Sequence, residues 1–127
     1  MLGGMPYRVS PEEFEQIAVD ALDTIPAALR ERLEADNLMI TIQDAATAGD
    51  HEDGIDRHVL GYYQGGEDSV FAASPYPKRI VLLQRNIENI CRSRSELVAE
   101  VHDTVLHEVA HYFGMSHRDL ERTRLRH

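Results

Sequence analysis

Between positions 107 and 117 the chain reads His107-Glu108-Val109-Ala110-His111-Tyr112-Phe113-Gly114-Met115-Ser116-His117. Residues four apart on an α-helix differ by about 40° of rotation and one turn of rise, so His107 and His111 leave the same face and are able to share one ion. Glu108 stands about 100° round from His107, beside such an ion but poorly placed to ligate it. That placement suits a carboxylate that takes a proton from a water the ion has activated. A helix continuing past His111 would carry His117 away, because six residues make about 1.7 turns. Gly114 is the residue able to enter the left-handed conformation without a Cβ clash, end the helix and turn the chain so that His117 comes back. Three neutral imidazoles with one open, water-filled position form the donor set of a catalytic zinc centre; a structural centre closes all four positions, usually with thiolates.

The element that must carry these groups is a long helix. Ser93-x-x-Glu96 is a capping box that sets its start. Leu97, Val98, Val101, Val105, Leu106, Val109, Ala110 and Phe113 make it apolar around more than one face, as expected of a helix crossing the middle of a domain. His102 points off the ligand face and is not expected to ligate. Asp103, four before His107, is either an outer partner for its second N–H or a solvated helix residue. Ser116-x-x-Asp119 is a further capping box, opening a short C-terminal helix from Leu120 to Leu125.

Upstream, Ser10-Pro11-Glu12-Glu13 opens a first helix whose Phe14, Ile17, Ala18, Ala21, Leu22 and Ile25 share one apolar face. Pro26 interrupts it and starts a second short run through Leu29 and Leu33, ending near Asp36-Asn37. Three strands are expected: Leu38 to Ile42, Val59 to Gln64 with Val70-Phe71 as a candidate hairpin partner, and Arg79 to Gln84, the last apolar enough to be buried on both faces. Ser74 to Pro77 reads as a turn, and Asn86 to Cys91 as a helical turn before the long helix. Asp44 to Asp56 is an acidic surface loop. Setting Gly54 as the invariant glycine of a calcium-binding EF-hand loop puts Gly49 first and Leu60 twelfth, so calcium is excluded there. His51 and His58 read as loop residues, and His127 as a tail residue.

A chain of 127 residues is expected to form a single domain over 1–127. Its 43% hydrophobic and 28% charged residues are those of an ordinary globular protein. A formal net charge of −9 argues against a nucleic acid or an anionic membrane as partner. Arg118, Arg122, Arg124 and Arg126 cluster near the end, as a solvated helix face. Cys91 is the only cysteine, which excludes an intrachain disulfide, and it reads as a packed or half-exposed structural residue and not as a nucleophile. With neither a signal-like N-terminus nor an apolar stretch of membrane-spanning length, a cytoplasmic location is the default expectation.

The eleven-residue run matches the metzincin signature. Together with Gly61-Tyr62-Tyr63, Arg79-Ile80-Val81-Leu82 and Thr104-Val105-Leu106-His107, it resembles the small bacterial zincin-like metallopeptidases. The resemblance implies an α+β fold in which a small mixed sheet of three or four strands packs against the active-site helix and an N-terminal helix. It implies Zn2+ held by His107, His111 and His117, with Glu108 as general base, and a peptide or protein substrate laid along an edge strand. His117 as third ligand is carried over from the metzincin motif, with Asp119 as the alternative. Metzincins also carry a methionine turn well downstream of the third histidine; here ten residues follow His117 and none is methionine. The small zincin-like family lacks that region as well.

Two other readings stay open beside a zinc-dependent peptidase: a hydrolase of small non-peptide amides, and a non-catalytic zinc-binding scaffold or partner-binding module. Glu108 argues against the scaffold, because a structural site has no use for that carboxylate. Tyr62, Tyr63 and Tyr112 are candidate second donors to a developing oxyanion. Metzincins use the segment downstream of the third histidine to wall one side of the specificity pocket; the oligomeric state is open, a second subunit being one way to supply such a wall here.

Overall fold

Two serines start the two long helices, and both caps form. Ser10 Oγ accepts from the Glu13 N–H at 3.1 Å, with Pro11 in the first turn, and helix α1 runs Pro11–Asp23. Ser93 Oγ accepts from the Glu96 N–H at 3.2 Å, while the Glu96 carboxylate reaches back to the Arg92 N–H at 2.7 Å, one residue earlier than an ideal capping box. The computed structural model describes residues 5–45, 60–64 and 78–114. The acidic loop beyond Ala45, His51, His58, the hairpin partner at Val70-Phe71, the turn at Ser74 to Pro77, Asp119, the C-terminal helix, the arginine cluster and His127 lie outside these residues.

Chain order is α1, α2 (Ala27–Ala35), β1 (Met39–Gln43), β2 (Gly61–Gln64), β3 (Arg79–Leu83), α3 (Gln84–Asn89) and α4 (Arg94–Phe113). Helix α2 ends in a Schellman turn. Asn37 takes φ 57°, its N–H donates to Glu34 O, and Leu38 N–H donates to Leu33 O, both at 3.0 Å. Asp36 is thereby left as the C-cap, facing out of the α2–β1 turn.

The described strands form one mixed sheet in the order β1-β3-β2, with β1 parallel to β3 and β2 antiparallel to it. Central β3 is buried on both faces, as its sequence implies. Ile80 and Leu82 enter the main core with Phe14 and Ile17 of α1, Ile25 just past its end, and Leu97, Val101, Val105 and Val109 of α4. Val81 and Leu83 lie on the other face with Tyr62. This is the α+β arrangement expected, a small sheet packed on the histidine-bearing helix and an N-terminal helix. One difference lies in α4, where Val98 is 40% exposed, so that helix is not apolar-buried all round.

Helix α3 follows β3 without a loop and starts two residues earlier than the sequence suggests. Its Glu88 is 3% exposed yet fully partnered: it accepts from Val9 N–H at 3.0 Å, Gln84 Nε2 at 3.0 Å and Arg8 Nη1 at 3.2 Å. Gln84 also donates to Val9 O and Tyr7 N–H to Cys91 O, so the N-terminal segment is strapped to this short helix. Cys91 is buried, and burial pushes its thiol up, away from nucleophilic use.

Gly61 sets the distance between sheet and α4. A Cβ there would stand 2.8 Å from the Val81 carbonyl oxygen and 3.1 Å from Thr104 Cγ2 of the helix. The first neighbour is backbone within a paired strand and cannot move aside. Gly61→Ala is expected to destabilise by about 1–3 kcal/mol through overpacking, read as a lower urea midpoint at unchanged slope.

Candidate metal centre

Ridge periodicity on α4 sorts the motif residues into two environments. Thr104, Glu108 and Tyr112 succeed one another at i, i+4 and i+8 and so share a stripe. Thr104 lies under Gly61 of β2, and the Tyr112 ring meets Tyr63 of β2 edge-on at 5.4 Å. Glu108, midway between them, is 8% exposed. His107 and His111 stand on the solvent side, with the His111 side chain 67% exposed. The two imidazoles thus share an open face while the carboxylate is sheltered beside them.

Glu108 Oε1 is 3.6 Å from His111 Nδ1. Burial pushes the Glu108 carboxyl up from its ordinary value, opposed by the positive charge that His111 and then His107 can carry. A carboxylate with a raised proton affinity is the better base toward water.

His107 Nδ1 lies 3.3 Å from the Asp103 backbone oxygen. A carbonyl only accepts, so Nδ1 carries the proton and Nε2 keeps a lone pair for an ion. The outer partner expected of Asp103 is therefore its carbonyl and not its carboxylate. The ring folds back along the helix toward the preceding turn, where that carbonyl sits. His102 is paired with Thr24 at the end of α1, away from the site, in keeping with its position off the ligand face.

The helix ends where the motif requires. Phe113 is its last residue, and Gly114 is left-handed at φ 66° and ψ 25°, its N–H donating to His111 O at 3.1 Å. His117 and its alternative Asp119 lie outside the described residues, and among the described residues no three His, Cys, Asp or Glu side chains gather as a metal site. The residues that are described fit a zinc ion: two imidazoles on one open face, one with its Nδ1 turned to a carbonyl and its Nε2 left for ligation, beside a buried carboxylate.

The tyrosines divide. Tyr112 donates its O–H to Asp36 Oδ2 and is committed there, which removes it as a free oxyanion donor. Burial and that carboxylate push its phenol up to about 12. Tyr62 is turned to the other face of the sheet with Val81 and Leu83. Tyr63 stays on the α4 side of β2, half-buried against Tyr112. No local sequence signal marks Asp36 as the partner of Tyr112, since 76 positions separate them.

The same contact predicts an acid response. The Tyr112 hydrogen bond, together with Arg32, holds the Asp36 carboxyl below its ordinary 3.8. A carboxyl lowered in the folded state contributes stability above its unfolded value, and that contribution is lost as pH falls through the lowered folded value. Metal-free Asp36→Asn is expected to melt below wild type at pH 7, with the gap closing below about pH 4. A gap that stays constant down to pH 3 would show that ionisation of Asp36 contributes nothing.

Residues 35–126 match the family model described as zincin-like metallopeptidase, a span running from the end of α2 through the three described strands, α3 and α4. No protein with a curated description matches the chain. No helix among the described residues is long and apolar enough to cross a membrane.

Proposed function

The chain belongs to the zincin-like metallopeptidase family, and on that premise we propose that it hydrolyses peptide bonds at a zinc centre formed by His107, His111 and His117, with Glu108 as general base. The observation that carries this reading is the exposed imidazole pair, His107 and His111, flanking a Glu108 that is only 8% exposed. Zinc, when bound, supplies a Lewis acid that makes water nucleophilic near neutrality and polarises the scissile carbonyl. Glu108 takes the proton from the attacking water as it adds to the carbonyl carbon, then hands that proton to the departing amine. The sheltered position of the carboxylate keeps bulk water from competing for the proton.

The substrate is proposed to lie along β2. Among the described residues β2 is an edge of the sheet, and it is the edge that meets the Thr104–Glu108–Tyr112 stripe, through Gly61 and Tyr63. An extended peptide added there would be held by main-chain hydrogen bonds, which give affinity with little demand on side chains. Tyr63 is the remaining tyrosine on that side suited to meet a developing oxyanion.

Elemental analysis of untagged protein, followed by a panel of short peptides against small non-peptide amides, tests the reading. One zinc per chain with peptide cleavage is the expected result. Activity on the small amides alone would replace the substrate class, and zinc held with no exchangeable water would point to a scaffold. Protein that takes up no zinc when it is supplied would remove the chemistry altogether.

A further inference from the structure

The last turn of α4, which carries His111 and leads into Gly114, is tied to other elements through Tyr112. The phenol donates to Asp36 Oδ2, and Asp36 is the C-cap of α2, itself held by Arg32 Nε at 3.2 Å. The Tyr112 ring meets Tyr63 of β2 at 5.4 Å and 70°, and Phe113 at 5.1 Å and 77°. Lys78, immediately before β3, brings its Nζ to 6.0 Å from the same ring. His111 is exposed, and among the described residues a Cβ on Gly114 would meet nothing within 4 Å.

Helix ends fray where packing does not hold them. A metal ligand must nevertheless be placed to within about 0.5 Å and 10–20°. A tyrosine is a rigid arm, with two torsions deciding where its oxygen goes. Anchoring that oxygen in the α2–β1 turn restricts the rotation of residue 112 about the helix axis, and with it that of its covalent neighbour His111. We propose that the Tyr112–Asp36 hydrogen bond is a positioning contact for the metal centre, locking the last turn of α4 so that His111 holds one geometry before zinc arrives. The inference rests on the zinc reading of His107, His111 and His117.

Tyr112→Phe keeps the ring and its edge contacts and removes only the O–H, and Asp36→Ala removes the acceptor. Zinc affinity is measured by competition with a chromophoric chelator, below the melting temperature of the metal-free proteins so that each starts folded. The cobalt(II) absorption spectrum and the hydrogen exchange of amides 110–114 in metal-free protein accompany it. Each variant is expected to bind zinc on the order of 10-fold more weakly, the low end of the range for losing an outer-sphere partner, because the contact reaches His111 only through the helix backbone. The double variant should be no weaker than either single one, with a changed cobalt spectrum and faster exchange at the helix end. A contact that merely stabilises the fold would lower the melting temperature and leave affinity and spectrum alone, and that result overturns the proposal. Additive losses in the double variant overturn it too. Wild type that binds neither metal overturns the zinc reading and this proposal with it, whereas failure of the proposal alone appears as a zinc-binding wild type whose variants either match it or lose affinity additively.

Discussion

Glu108→Gln is expected to keep one zinc per chain and to lose about 10²–10⁴-fold in kcat/KM, the range for removing a general base. The substitution preserves length and shape at a position only 8% exposed, so the stripe of α4 under β2 stays filled. It removes the one property the reaction needs, because an amide oxygen has almost no affinity for a proton near neutral pH. Burial raises that affinity in Glu108, and His111, 3.6 Å away, tempers it. Glutamine in the same space loses both effects. The check is kcat/KM on whichever peptide wild type cleaves, beside zinc content. Full activity in the variant would sink the general-base role and leave the carboxylate a packing residue.

His111→Ala is expected to give the reverse pattern, a protein that folds but holds no metal. With 67% of its side chain exposed, the position tolerates truncation within about 0.5 kcal/mol. Alanine is also the better helix former, by a few tenths of a kcal/mol. The metal loses a direct ligand, which costs more than the roughly 10–100-fold that an outer partner is worth. Melting with and without zinc reads both effects at once. Wild type should gain about 2.7 kcal/mol at a zinc concentration 100-fold above Kd, and the variant nothing at the same concentration. His117→Ala in the same experiment decides between His117 and Asp119, since only loss of the true third ligand abolishes the gain. One zinc per chain retained by His111→Ala would remove His111 from the centre.

The two predictions separate because a four-residue helical repeat puts both histidines on one face and Glu108 to the side, and that much is legible from spacing alone. So are the serine caps at Ser10 and Ser93, the break at Pro26, the left-handed exit at Gly114, and β3 as a strand buried on both faces. Each is a local matter: a cap bonds within three residues, a glycine's φ depends on its missing Cβ, and burial on both faces of a strand shows as an unbroken apolar run.

Less legible was what the same residues touch. Asp103 reads as a possible carboxylate partner for His107, yet its carbonyl takes that place, because the ring folds back along the helix. Tyr112 reads as one of three interchangeable tyrosines, yet its O–H is committed to Asp36. Glu88 has no distinguishing mark in the sequence, yet it is buried and ties Arg8, Val9 and Gln84 together.

The sequence by itself therefore determined the chemistry available to this protein and the helix that presents it, since both follow from periods and caps spanning a few residues. Only the tertiary structure decided that β2, the antiparallel edge among the described residues, lies along the Glu108 stripe, that Gly61 sets the helix-to-sheet distance, and that Asp36 anchors the end of the helix. Those facts depend on strand order and on contacts between residues 43 and 76 positions apart, Gly61 with Thr104 and Asp36 with Tyr112. Such contacts arise from packing a shared core and carry no local period from which they could be read.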